Sequence, residues 1–173
     1  MALNRKDQEF DIVLLSAHSG EIIENLTSGF DQSLGFEYVA MPGQRFNTVP
    51  WMSWSPDGDR LAYFVRKGKY KSLVIQNVVT RNVEQLIDLQ TVDEPEAPDF
   101  SPTGEKVVFS ALRNGVGDIF EINLATQEIR NVTNDEFANY SPVYSPDGSS
   151  LVIVARVSAN NKLFRLDLQT ENQ

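Results

Sequence analysis

The chain has 173 residues, 41% of them hydrophobic and 23% charged, the composition of a globular protein with enough length for one core. A formal net charge of −9 argues against a nucleic-acid backbone or an anionic membrane as the main partner, since both need clustered cations. The lack of cysteine removes disulfides, thiol nucleophiles and zinc–thiolate sites together, and no apolar run approaches the roughly 20 residues of a membrane span.

Taken in order, residues 1–10 read as a disordered tail, mostly polar through residue 9, with no hydrophobic stretch of signal-peptide length. Asp11 to Ala17 and Glu21 to Thr27 then read as two strands around a turn. His18, the only histidine, falls in that turn, where a bystander is expected rather than a general base. Residues 28–50 form the longest connector. They hold Phe30, Phe36, Tyr38, Arg45 and Phe46, and the aromatics argue against disorder. Such a connector either folds over strand edges or contacts a partner or ligand.

From residue 50 the chain repeats itself. Trp54-Ser55-Pro56-Asp57-Gly58, Phe100-Ser101-Pro102-Thr103-Gly104 and Tyr144-Ser145-Pro146-Asp147-Gly148 each run an aromatic residue into a tight turn and then an apolar run. Proline presets the first corner, Asp or Thr bonds nearby backbone, and Gly takes positive φ. Later stretches also align: Ser72 to Thr80 with Asp118 to Thr126 and with Lys162 to Thr170. Asp11 to Thr27 aligns with Asp118 to Thr133. Each unit therefore has four strand slots, A to D, and a repeat of this period signifies a propeller blade or a similar array. The expected architecture is an all-β propeller, partial, of about three to four blades of four-stranded antiparallel sheets. Within 11–173, residues 11–27 form a half-blade with slots C and D, 50–90 and 97–134 form blades, and 141–170 form an incomplete blade without slot D. The B strands, such as Leu61 to Val65, are nearly continuous in apolar residues, as expected where both sheet faces are buried.

The aromatic-Ser-Pro-Asp-Gly turn and the later Asp-Ile-Phe strand at Asp118 resemble the TolB-like β-propeller repeat. The resemblance covers about residues 11–170, with departures at Thr103 in place of Asp and at Ser72 in the third strand. It implies a periplasmic or otherwise secreted bacterial setting and a non-catalytic module that binds a protein, a peptide or a small ligand. The alternative is an accessory propeller that controls access to a larger serine peptidase or hydrolase.

Little in the sequence points to catalysis. It contains no Gly-x-Ser-x-Gly, and its single histidine would have to serve any serine triad. No cofactor or metal is expected. The acidic group Asp88, Asp93, Glu94, Glu96 and Asp99 lacks the spacing of a calcium loop and reads as a solvated acidic loop. One charge recurs: Arg66, Arg113 and Arg156 each follow a B strand. They either form a ring for a carboxylate-bearing partner or pair locally with Asp118 or another acid. The candidate binding set is therefore Phe30, Phe36, Tyr38, Arg45, Phe46, Arg66, Arg113 and Arg156, with no nucleic acid and no membrane insertion. An open arc of blades also predicts closure by a homodimer, a six-bladed ring in which the Glu21 to Thr27 strand of one copy completes the last blade of the other.

Overall fold

The computed structural model describes residues 2–6, 9–28, 37–38, 51–67 and 69–168, and every regular element among them is a β-strand. In the first sheet β1 (Ala2–Lys6), β2 (Glu9–Leu15) and β3 (Ile22–Asn25) pair in that order. The second contains β4 (Glu37–Tyr38), β5 (Met52–Trp54), β6 (Arg60–Lys67), β7 (Tyr70–Asn77) and β8 (Val83–Asp88). The third runs through β9 (Asp93–Phe100), β10 (Lys106–Arg113), β11 (Val116–Asn123) and β12 (Ile129–Asn131), and the fourth through β13 (Ala138–Tyr144), β14 (Ser150–Val157) and β15 (Asn160–Asp167). All pairings are antiparallel, as successive short-turned strands require.

The sheets stack face to face and bury both sides of their middle strands. Leu61 to Val65 is buried throughout because alternate residues serve opposite seams. Tyr63 and Val65 pack with Ile12 and Leu26 of the first sheet, while Ala62 and Phe64 pack toward the third. Phe109 holds the centre of that second seam, edge-on to Phe64 at 5.5 Å and stacked with Phe120 at 5.9 Å. Val108, Ile119, Leu151 and Ile153 fill the seam between the third and fourth sheets.

Three features differ from the sequence reading. Residues 2–6 do not fray: β1 pairs with β2 from Ala2 opposite Val13 to Lys6 opposite Glu9, so the first unit carries slots B, C and D and is more than a half-blade. The lack of apolar alternation in Ala-Leu-Asn-Arg-Lys concealed this, because a ladder needs only backbone N–H and C=O groups. Here β3 is hydrogen-bonded to β2 within its own sheet. Second, the inner strands β9 and β13 begin at Asp93 and Ala138, ahead of the expected boundaries at 97 and 141. Each contains a bulge where Ala97 and Ser141, both at φ +49°, precede a proline that cannot donate to the ladder. Third, part of the 28–50 connector belongs to a sheet: Glu37 and Tyr38 pair with Arg66 and Val65, extending the inner edge of β6 beyond its pairing with β5. Phe30, Phe36, Arg45 and Phe46 lie outside the described residues.

The repeated turns show why each residue type recurs. In the first, the Ser55 hydroxyl donates to the Asp57 carboxylate and accepts the Arg60 N–H at 2.9 Å, while the Gly58 N–H closes the turn on the Ser55 carbonyl. Ser101 and Ser145 accept the N–H groups of Lys106 and Ser150 in the same way. Thr103 substitutes for Asp by accepting the Glu105 N–H and hydrogen-bonding to the Ser101 hydroxyl at 3.2 Å, so that departure leaves the turn intact. Neighbouring turns also touch. A Cβ on Gly104 would lie 3.6 Å from Cδ of Pro56 and 2.8 Å from Nη2 of Arg60, and one on Gly148 would lie 3.5 Å from Cδ of Pro102. Gly104→Ala is therefore expected to cost more than Gly58→Ala, which shares the positive φ but meets open space. The shared conformational cost is about 1–2 kcal/mol, and urea denaturation of the two variants reads the difference.

Charge stabilises these turns as well. Hydrogen bonds from the Ser145 hydroxyl, then from the Ser149 N–H and hydroxyl, lower the Asp147 carboxyl to about 2. A depressed folded-state pKa gives stability that is present above the ordinary aspartate range and lost as pH falls through about 2. Asp147→Asn should flatten the melting temperature between about pH 4 and pH 2 relative to the unaltered protein.

A second repeated device ties slot C to slot D. Asp11 accepts the Asn25 amide at 2.8 Å, and Thr27 Oγ1 accepts the Ile12 N–H at 2.8 Å. Asp118 accepts from Asn131 and Thr133, both at 3.0 Å, and Thr133 accepts the Ile119 N–H. In the second sheet the roles reverse: Ser72 donates to Asp88 at 2.8 Å. That exchange accounts for the departure at Ser72.

Candidate functional site: a cationic hairpin face

Antiparallel order places the A–B and C–D turns at one end of the sheets, and the B–C hairpins with the D–A links at the other. The three later hairpins are short. Lys67 pairs with Tyr70, Arg113 with Val116 and Val157 with Asn160, leaving two-residue loops. Asn114 and Gly115 have φ of 55° and 81°, and Ser158 and Ala159 of 48° and 67°, the positive pair that matches strand twist. Loops this short keep the flanking strand ends close together.

Those positions are rich in cations. Arg66, Lys67, Lys69, Lys71, Arg113, Arg156 and Lys162 all fall at this end of the hairpins, seven of the 15 Lys and Arg in a chain of net charge −9, alongside the acids Asp88, Asp93, Glu94, Glu96, Asp135 and Glu136 of the D–A links. Arg113 and Arg156 are exposed and form no ion pair among the described residues. Asp118, the nearest acid in sequence to Arg113, is instead held by Asn131 and Thr133. Arg66 is exposed and stands opposite Glu37 in the β4–β6 register. Tyr38, one residue on, is placed at the same end of the sheet.

Apolar groups sit among these charges. Tyr70 is 60% exposed, with Lys69 Nζ 5.3 Å from its ring centre, while Val116 is 41% and Phe137 37% exposed. Tyr70 and Lys71 border a cavity of about 490 Å³ whose walls include Leu89 and Val92. The Lys71 ammonium is opposed by burial, but its hydrogen bonds to Asp93 at 2.9 Å and Glu94 at 3.1 Å prevail and raise its pKa. Aromatic residues and arginine together are the composition of protein-binding surfaces. Sequence reading found the arginines and missed Tyr70, Val116 and Phe137, whose exposure depends on which strand ends converge.

Four of the five acidic residues have structural partners. Asp88 accepts from Ser72, and Asp93 and Glu94 hold Lys71. Asp99 joins three inner strands by accepting the Tyr144 N–H at 2.9 Å and the Ser53 hydroxyl at 3.3 Å; burial prevails over these bonds and raises its pKa. Burial, then the Glu94 charge, also raises Glu96. Among the described residues no group of three or more His, Asp or Glu side chains is arranged to hold a metal ion. His18 lies in the exposed turn between β2 and β3, its backbone N–H donating to Ser16.

The comparisons agree with this architecture. A TolB from Francisella tularensis subsp. mediasiatica is 27% identical over 111 residues, covering 62% of this chain and 25% of that protein. A putative TolB structure from Agrobacterium tumefaciens superposes with a TM-score of 0.70 at 18% identity, covering 94% of this chain and 55% of that one. A prolyl endopeptidase structure gives a TM-score of 0.58 at 15% identity, over 99% of this chain and 28% of that one. At these identities the structural likenesses establish the fold alone, and the chain spans 35% and 25% of the length of two of the curated relatives it matches. The TolB beta propeller domain family matches residues 45–173. With its repeated turns, stacked antiparallel sheets and this match over most of its length, the chain belongs to the TolB beta propeller domain family.

Proposed function

We propose that the chain is a non-catalytic propeller module that binds a protein or peptide through the hairpin face, with partner carboxylates meeting Arg113 and Arg156. The observation that carries this reading is the pair of exposed arginines, without an ion pair among the described residues, at the B–C ends of adjacent sheets, Arg113 opposite exposed Val116 and Arg156 opposite Ala138, the residue after exposed Phe137. Arginine forks favour carboxylates, and the apolar neighbours supply the area that charge alone does not. The likeness to proteins named as Tol-Pal system components supports a place in a multiprotein assembly and a periplasmic or secreted setting.

The double variant Arg113→Glu/Arg156→Glu should retain its far-UV circular dichroism and lose partner capture by at least about tenfold, with a weaker dependence on salt. Unchanged capture from the source-cell extract would overturn the proposal. A gating propeller of a serine peptidase is the second reading, favoured by the fold shared with the prolyl endopeptidase. Hydrolysis of a fluorogenic peptide by the full-length protein would select it.

A further inference from the structure

Two neighbouring seams are built from equivalent positions and filled differently. Between the second and third sheets, buried Ile75 packs in the same cluster as Phe100, and Arg60 reaches across from two residues past its turn glycine. Its Nη2 donates to the Gly104 carbonyl at 3.1 Å, and the guanidinium lies over the Phe100 ring at 5.5 Å. In the next seam Glu121 replaces Ile75, Tyr144 replaces Phe100, Lys106 replaces Arg60 and Gly148 replaces Gly104. The Glu121 side chain is 4% exposed and accepts from Tyr144 Oη at 2.6 Å, Arg130 Nε at 2.7 Å and Lys106 Nζ at 3.3 Å. Lys106 is thereby drawn onto a carboxylate of its own sheet.

The place of the missing guanidinium is a cavity of about 280 Å³, bordered by Lys106, Glu121, Tyr144, Asp147, Gly148 and Ser149. Its walls carry three carboxylates, Glu105, Glu121 and Asp147, against two cations, Lys106 and Arg130. Thr103 holds the position of Asp147 in the preceding seam, so the open seam has an added negative charge. We propose that this cavity binds a guanidinium group, presented by an arginine side chain of a polypeptide partner, in the manner of Arg60 one seam earlier. The Tyr144 ring offers its face, the Gly148 carbonyl an acceptor, and Asp147 a charge-assisted contact. The cavity lies at the A–B turn end, opposite the hairpin face, so the two sites are independent.

Titration calorimetry of the full chain with blocked Gly-Arg-Gly, blocked Gly-Lys-Gly and agmatine tests this. The arginine peptide should bind at millimolar or better affinity and the lysine peptide at least about tenfold more weakly. Agmatine binding without peptide binding would reassign the site to a small molecule and overturn the polypeptide source. Lys106→Arg supplies a tethered guanidinium and should abolish binding, while Asp147→Asn should weaken it by about tenfold. Absence of arginine-peptide binding, equal binding of the lysine peptide, or undiminished binding by both folded variants would each refute the proposal.

Discussion

Phe109→Ala is expected to lower the free energy of unfolding by about 3–5 kcal/mol, a large part of the 5–15 kcal/mol typical of a domain. The side chain is fully buried between Phe64 of one sheet and Phe120 of its own. Its removal forfeits both ring contacts and leaves a cavity in the middle of a seam that strands on both sides hold apart. Urea denaturation should show a lower midpoint with an unchanged slope, meaning that the seam loosens without changing the surface exposed on unfolding. A loss below about 1 kcal/mol would mean that the two sheets close over the gap, contrary to a rigid stack.

Glu121→Ala should cost about 3 kcal/mol, because it strands the half-buried Tyr144 hydroxyl and removes the shared acceptor of Arg130 and Lys106. The preceding seam supplies the remedy. A double variant, Glu121→Ile with Tyr144→Phe, copies the Ile75 and Phe100 arrangement and should return to within about 1 kcal/mol of the unaltered protein. Additive losses in the double variant would show that the polar network is indispensable to this seam. Burial opposes the Glu121 charge, yet hydrogen bonds from Tyr144 and Arg130 and the charges of Arg130 and Lys106 prevail and lower its pKa. The folded value is depressed, so the contribution is present above the ordinary glutamate range and fades as pH falls through the lowered value. The double variant should lack that acid-labile component.

The turns and most strand slots were legible because Ser, Pro and Gly each answer a local requirement that does not depend on the rest of the fold. Arg113 and Arg156 were legible for a related reason: at nine and eight residues past their turn glycines, both return to the same end of their sheets. β1 was not legible, because Ala-Leu-Asn-Arg-Lys carries no alternating signal. The inner strands were cut short at Pro98 and Pro142, since proline reads as a break and only a bulge lets a strand continue through it. Glu121 was missed because a charged residue on a strand looks solvent-facing. Only the stacking of a neighbouring sheet, which brings Tyr144 against it, turns that face into an interior.

The turn of the third sheet carries both halves of a joint, its Gly104 close to Pro56 of the preceding turn and its Pro102 close to Gly148 of the following one. A unit copied in tandem therefore fits its own duplicate without any new interface having to evolve. The angular step between units is set by that joint, so the chain can lengthen by gene duplication while its pitch is inherited unchanged. By the same logic, a side chain added at one such glycine disturbs a spacing, and the misfit is passed to every unit beyond it.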